Sequence, residues 1–445
     1  MTRKPSTSAK PFLIRTGTSM LQRIWITIQY FGGNGLANHA AAGAYGFLLS
    51  LMPALLLVAY CISALFAFSS HEAAQIILNV GFLGSVFDIG STVVRFLDAF
   101  NPGLAGATSL ISMVWAAIVL AFSLQRGLNS IFLNFLHIKA SNPIKAYLIP
   151  LGLEAAVILF VFITILGAHL SILLFGAGTA PRALQIGLSI LPFVGLGLLA
   201  FGAYRIVPNG YPGWKSALAG AALCIIIYAV LSALFNVFIN PEHYHVIYGM
   251  LGDLILLLAK VYFFFIFFFI GAQFAFVVEY FDALLFIRLR MARSSPKPFF
   301  IDKALFASVK NGRLRTYCRS YQPGETIFLQ GEDSHEIYYI LSGAAHVYLA
   351  NKKGGRQKRV AVITADNFFG EMGHVLASKR SATVKADADF IALVLPPCLF
   401  EHILAIDKNS DNKVIEMLSE RLKHTNDQLT QEMQTSLDAA VKRPV

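Results

Sequence analysis

The chain has 445 residues, 56% of them hydrophobic and only 14% charged, with a mean hydropathy of +0.62. That balance excludes a disordered chain and a protein that is soluble throughout, because too little polar surface is present to cover so much apolar side chain. Lys and Arg outnumber Asp and Glu by 36 to 25, a formal net charge of +11, and the four cysteines Cys61, Cys224, Cys318 and Cys398 lack the paired spacing of a disulfide framework or a zinc site.

Residues 1–35 form an N-terminal segment that carries Arg3, Lys4, Lys10, Arg15 and Arg23. Its stretch 13–34 reads as an amphipathic helix lying on a membrane face. No cleavable signal pattern is present there, so the first apolar span is expected to act as the targeting signal. A helix needs about 20 apolar residues to cross about 30 Å of hydrocarbon. Windows of that kind fall near Ala40–Phe68, Leu104–Leu124, Ala146–Phe175, Leu184–Tyr204, Ser216–Ile239 and Leu251–Val278. The reading is therefore a six-span α-helical integral membrane domain over 36–285, with Pro53, Pro150 and Pro192 tolerated where neighbouring helices satisfy the freed carbonyls. The long connection 69–103 has apolar positions such as Ile76, Ile77, Val80 and Leu83 that suggest amphipathic helices at the outer surface. Leu124–Ile138 extends the second span on the opposite side.

Orientation follows from the basic residues of the N-terminal segment and of the short loops. Arg126, Lys139 and Lys145 follow span two, Arg205 and Lys215 follow span four, and Arg288, Arg290 and Arg293 follow span six, whereas the alternate loops hold Arg95 and Arg182. Lys and Arg mark the cytoplasmic side, so both termini are expected there. Inside span six, Asp253 and Lys260 are ionisable groups at membrane depth, where each costs about 2.5–3.5 kcal/mol on insertion scales and normally faces a bundle interior or a water-filled cavity. They share a helical face but lie about 10 Å apart along the axis, too far for a direct ion pair. Two readings stand: a polar pathway through the bundle, or an interfacial Asp253 with Lys260 snorkelling toward it. Glu154 in span three is a third ionisable group, read as a boundary residue.

Several strings in this part occur in a fixed order: Ala41-Ala42-Gly43-Ala44-Tyr45, Ser50-Leu51-Met52-Pro53, Val207-Pro208-Asn209 with Trp214 and Gly220-Ala221, Tyr248-Gly249 and Gly271-Ala272. Over about residues 20–285 they resemble the YihY/BrkB family of bacterial membrane proteins, formerly labelled ribonuclease BN. The resemblance implies a six-helix inner-membrane fold and transport or export of a solute or lipid precursor. This chain departs from the family pattern at Gln273, where a glutamate commonly follows Gly-Ala, and at Asp253 and Lys260 themselves.

The composition changes at Ser294-Ser295-Pro296-Lys297-Pro298, within an expected linker 286–299. Beyond it, 300–445 reads as a soluble α+β domain. Short apolar runs separated by glycine turns, Tyr321 to Glu332, Ile337 to Gly343 and Ala345 to Tyr348, fit a small β-roll or jelly roll. Next come Phe369-Gly370-Glu371-Met372 and, nine residues after the glutamate, Arg380-Ser381-Ala382. An arginine fork can meet the two exocyclic oxygens of a cyclic phosphate, with backbone N–H groups completing the cradle. An ionised glutamate only accepts hydrogen bonds, which suits the 2′-hydroxyl of a cyclic ribose. About 300–430 resembles the cyclic-nucleotide-binding domains of the catabolite-activator and protein-kinase-regulatory type. That resemblance implies ligand contacts from Gly370, Glu371, Met372, Arg380, Ser381 and Ala382, with cyclic AMP or cyclic GMP as the regulatory ligand and no other cofactor. Asp366-Asn367 replaces the family's usual Gly-Asp, a turn that Asp and Asn can still form because they tolerate left-handed backbone. His374 stands where an aliphatic residue is usual.

The basic hairpin Lys352, Lys353, Arg356, Lys358 and Arg359 reads as a solvated turn or a contact with anionic lipid, with no nucleic acid expected. From Asn412 onward, Val414, Leu418, Leu422, Leu429 and Met433 make one apolar stripe, able to cap the pocket or to pair with a second copy in a homo-oligomer. The functional expectation is a non-enzymatic, multi-pass inner-membrane transporter or exporter regulated by cytoplasmic cyclic nucleotide. A membrane-anchored sensor or scaffold without transport is the alternative. A potassium-type channel lacks its filter sequence, and a ribonuclease lacks clustered catalytic carboxylates.

Overall fold

The computed structural model describes residues 12–50, parts of 115–132 and 152–167, 181–208, 212–238, 250–294, 300–306, 313–349 and 358–407. The chain divides into two compact units, one of residues 23–279 and one that joins residues 1–22 to 280–445.

The first unit is helical. Its best-described elements are the C-terminal half of α1 (Phe12–Gly33), α2 (Arg182–Ile206), α3 (Trp214–Phe238) and α4 (Met250–Glu279), with residues 36–50 and 122–132 also in helix. Expected spans four, five and six coincide with α2, α3 and α4; much of spans one to three lies outside the described residues. Among the described residues, Trp214–Phe235 and Ile255–Glu279 are long and apolar enough to cross a membrane. Small residues let α3 and α4 meet backbone to backbone. A Cβ on Gly220 would sit 2.4 Å from the Gly271 carbonyl oxygen, and one on Gly271 would sit 2.6 Å from that of Gly220. Tyr204 on α2 is buried and donates its hydroxyl hydrogen to the Phe268 carbonyl at 2.6 Å, beside the α4 crossing. Farther along, Tyr228 packs edge-on against Phe264 and Phe235 against Phe263. On α2 the exposed Ile186, Ile190, Val194 and Leu198 recur every four residues, an outward apolar stripe of the kind that lipid tails cover. Glu279 ends α4 by accepting a hydrogen bond from the Gly213 N–H at the start of α3, and Arg205 holds the Pro212 carbonyl of the same loop. Gln273 is fully buried and accepts from the Asn34 amide at 3.2 Å, so the position that departs from the family pattern holds a neutral amide pair.

The second unit is a β-roll of two four-stranded antiparallel sheets. Its strands are β1 (Cys318–Ser320), β2 (Thr326–Phe328), β3 (Ile337–Ser342), β4 (Ala344–Leu349), β5 (Lys358–Thr364), β6 (Phe368–Phe369), β7 (Thr383–Ala386) and β8 (Ile391–Leu395). Their order is β1-β8-β3-β6 in one sheet and β2-β7-β4-β5 in the other. Between them Phe328, Tyr338, Ile340, Phe369, Val384, Phe390 and Val394 form the core. Alternation along β3 sends Tyr338 inward and Tyr339 to the opposite face, yet both are buried because helices cover that second face. The covering helices are α5 (Phe281–Ser294) and α8 (Pro397–Ile406), with α6 (Phe300–Phe306) and the short α7 (Glu371–Val375) completing the unit. Phe286 of α5 packs on Tyr339 and Phe368, and Phe368 packs on Phe400 of α8.

Of the expected linker 286–299, residues up to Ser294 are therefore in α5, where Phe281, Ala283–Ile287 and Leu289 are all buried. Arg290 pairs with Asp407 at 2.6 Å and Arg293 donates to the Leu341 carbonyl at 2.6 Å. At the other end of α5, Asp282 pairs with Arg313 at 2.7 Å and accepts from the Tyr317 hydroxyl at 2.9 Å. Gln22 of α1 also belongs to this unit, its amide donating to the Leu305 carbonyl of α6 at 2.7 Å. The hairpin tip at 350–357, the linker remainder 295–299 and the stripe-bearing segment after Asn412 lie outside the described residues.

Candidate functional site

The turn that leads into the site is Asp366-Asn367. Asp366 takes φ 64°, the left-handed conformation expected of it, and its carboxylate accepts from the Tyr339 hydroxyl at 3.0 Å. Strand β6 then places Phe368 outward and Phe369 in the core, and the chain breaks at Gly370. With φ 81° and only 2.7 Å between an added Cβ and Arg380 Nη1, this position needs glycine on both conformational and steric grounds. Glu371 opens α7 and is 0% exposed.

Arg380 reaches back to this corner from just before β7 and is 3% exposed. Its Nη1 donates to the Gly370 carbonyl at 2.7 Å, and its Nη2 donates to the Glu336 carbonyl at 2.7 Å and to Ser334 Oγ at 3.0 Å. The guanidinium lies over the Phe328 ring, 4.2 Å from its centroid, and 5.8 Å from that of Tyr338. Burial lowers the Arg380 pKa from its ordinary value, and Tyr338, Glu332, Glu336 and Glu371 oppose that shift by their charge. An arginine nonetheless stays protonated in proteins. A full positive charge is thus held by two carbonyls, one hydroxyl and an aromatic face. The Arg380 backbone is tied to the same loop in both directions, Gly331 N–H to the Arg380 carbonyl at 2.9 Å and Arg380 N–H to the Glu332 carbonyl at 3.0 Å.

Of the residues expected from the sequence, Gly370, Glu371 and Arg380 come together at this buried corner. Ala382 is buried beside the start of β7, Met372 is half-buried, and Ser381 is exposed. Sequence reasoning missed Ser334, Phe328 and the Glu336 carbonyl; the Gln330-Gly331-Glu332 turn marked their loop without assigning it to the arginine. In the helical unit Lys260 is 8% exposed, while the side chain of Asp253 and all of Glu154 lie outside the described residues. Among the described residues no group of His, Cys, Asp or Glu is arranged to hold a metal ion.

A membrane-type helical unit followed by a β-roll with a buried Gly-Glu…Arg corner defines a two-part class of protein. Residues 27–285 match the family described as Virulence factor BrkB, and residues 318–407 match the Cyclic nucleotide-binding domain. The chain belongs to the Virulence factor BrkB family and carries a C-terminal domain of the cyclic nucleotide-binding type. A UPF0761 membrane protein of Pseudoalteromonas atlantica is 27% identical over 260 residues, covering 56% of this chain and 83% of its own length. Over 86 residues, 19% of this chain and 21% of the relative, the chain is 30% identical to a cAMP-dependent protein kinase regulatory subunit of Colletotrichum orbiculare. Among solved structures, the Thermus thermophilus catabolite activator protein matches at 23% identity and a TM-score of 0.24, over 27% of this chain and 57% of that one.

Proposed function

We propose that this protein is a six-span bacterial inner-membrane transporter or exporter, with both termini in the cytoplasm, whose β-roll binds cyclic AMP or cyclic GMP and thereby regulates passage of a solute. The observation that carries the nucleotide reading is Arg380: a buried cation whose hydrogen-bond acceptors are all neutral, next to the buried carboxylate of Glu371. Glu332, Glu336 and Glu371 offset part of that charge through space, and in this reading a cyclic phosphate adds the directly bonded anion that a guanidinium fork favours. In this reading Arg380 takes the exocyclic phosphate oxygens and Glu371 the ribose 2′-hydroxyl. Gly370, Met372, Ser381 and Ala382 form the rest of the cradle. The ligand then exchanges for some of the bonds Arg380 already makes, so its affinity reflects the difference between the two sets. To regulate transport it must favour one state of the protein by about 1–3 kcal/mol, the usual size of an allosteric coupling.

Calorimetric titration of the full chain in nanodiscs with cyclic AMP and cyclic GMP tests the reading directly. Saturable binding of either supports it, and no heat with both sinks it. A soluble fragment used for the same purpose should begin at Tyr280, because a cut at 296 removes α5 from the unit it packs into. The topology has its own test: cysteine labelling in intact cells should reach Ser70 and Glu242 from outside and Asn142 and Ser294 only after permeabilisation.

A further inference from the structure

Helices α3 and α4 run antiparallel, and their contacts fix the register between them. Gly220 meets Gly271, and eight residues farther along α3 Tyr228 meets Phe264 at 5.2 Å between ring centroids. One more helical turn brings Ser232 and Lys260 to the same level, flanked by the Phe235–Phe263 pair. Both are buried, each at 8% exposure. Lys260 shares its face of α4 with the buried Leu256 and Leu257 one turn before it.

An ammonium group at this depth is costly and normally meets a counter-charge. The acidic side chain described in this unit, Glu279, is nineteen residues on, about 28 Å along the helix, and is bonded to the Gly213 N–H. Asp253 is about 10 Å away along the axis in the other direction. The basic residue of α3, Lys215, lies in its first turn about 25 Å from Ser232 and stacks on Trp214. Among the described residues, one positive charge, a hydroxyl donor at its level and aromatic walls remain.

We infer that Lys260 and Ser232 form an anion site inside the helical bundle that takes a singly charged anion. Resting on the transporter reading above, this makes the transported species an anionic solute. The ion could come from solution or from the headgroup of an anionic lipid, and both present the same chemistry to Lys260.

The test is thermal unfolding of the full chain in phosphatidylcholine nanodiscs, with sodium chloride or sodium benzoate compared with sodium gluconate at equal ionic strength. Chloride or benzoate should raise Tm by about 2 °C or more at saturation in the wild type and in Lys260→Arg. The rise should vanish in Lys260→Met, whose own Tm in gluconate should equal or exceed that of the wild type. If Lys260→Met fails to fold, Lys260→Gln takes its place in the same comparison. Stabilisation of the wild type, but not the variant, by phosphatidylglycerol in place of the soluble salts assigns the site to a headgroup. An equal response of wild type and variant to every anion, or no response of the wild type to any, overturns the proposal. Cyclic AMP and cyclic GMP are added in a parallel arm. A nucleotide response without an anion response sinks the Lys260 site alone, and the reverse sinks the regulatory reading alone.

Discussion

Replacing Arg380 by alanine perturbs two things that can be measured apart. In the ligand-free protein the change leaves the Gly370 and Glu336 carbonyls, both bonded at 2.7 Å, without their donor. Each unsatisfied buried acceptor costs about 1–3 kcal/mol. Loss of the guanidinium stacked 4.2 Å over Phe328 adds about 1–2 kcal/mol. Removing a desolvated charge works in the opposite direction. The net expectation is a β-roll destabilised by about 2–4 kcal/mol. Nucleotide affinity should fall separately by about 1.5–3 kcal/mol, tenfold or more, since a charged hydrogen-bonding partner of the phosphate is gone. Arg380→Lys keeps the charge but lacks the planar fork, so it should recover part of the affinity and little of the stability. The assays are calorimetric titration and thermal unfolding of the full chain, with circular dichroism to establish that each variant is folded at the titration temperature. Equal affinity of folded Arg380→Ala and wild type for both nucleotides would falsify the assignment of Arg380 to the phosphate.

Glu371→Gln should lose less affinity than Arg380→Ala and chiefly lose discrimination against 2′-deoxy analogues; unchanged discrimination in a competition titration would make Glu371 structural. Gly271→Val places side-chain carbons where the Gly220 carbonyl oxygen and the Tyr204 hydroxyl already lie, so it should destabilise the helical unit by at least about 1–3 kcal/mol, while Gly187→Ala, with open space around it, should be tolerated in the same detergent-stability assay. Burial, with the hydrogen bond to Asp282 next, pushes the Tyr317 hydroxyl up to about 12 from 10.0. A raised pKa favours the neutral form in the folded state, so this contribution is complete below pH 10 and disappears as the pH rises from 10 toward 12. Tyr317→Phe should lower stability by about 1 kcal/mol at neutral pH and flatten the loss in that alkaline window, which urea denaturation at pH 8 and pH 11 would read.

Gly370, Glu371 and Arg380 were legible in the sequence because the corner they form is local: ten residues separate the two ends of the Arg380–Gly370 bond. The partners the sequence did not reveal, Ser334 and Glu336, lie 46 and 44 residues from Arg380. They meet it because β2 pairs with β7, which lays the 329–336 loop against the residues before β7. Pairing across a sheet is set by tertiary packing, and no local spacing announces it. Asp366 was legible for the opposite reason, since its left-handed turn depends on the residue's own backbone tolerance. In the helical unit, apolar windows located α2, α3 and α4. The Gly220–Gly271 approach gave no periodic signal, because a close helix crossing is specified by the absence of side chains.

The basic residues after α4 have two roles that the sequence could not separate. Arg288, Arg290 and Arg293 were counted as a cytoplasmic flank of span six, yet Arg290 is bonded to Asp407 and Arg293 to the Leu341 carbonyl. Folding of the β-roll unit accounts for the positions of Arg290 and Arg293. Discounting Arg290 and Arg293 leaves the expected orientation resting on Arg3, Lys4, Lys10, Arg15, Arg23, Arg126, Lys139, Lys145, Arg205, Lys215 and Arg288 against Arg95 and Arg182, which still favours the same side. The composition break at 294–298 falls at the end of α5, fifteen residues beyond the end of α4. Only Tyr280 separates the end of α4 at Glu279 from α5 at Phe281, and α5 is already part of the nucleotide-type unit. Within that unit Phe286 packs on Phe368, Phe369 turns into the core, and Gly370 receives the Arg380 hydrogen bond. In the proposed reading, a nucleotide that exchanges for that bond acts two residues from Phe368, whose ring packs on Phe286 of α5 within the same unit.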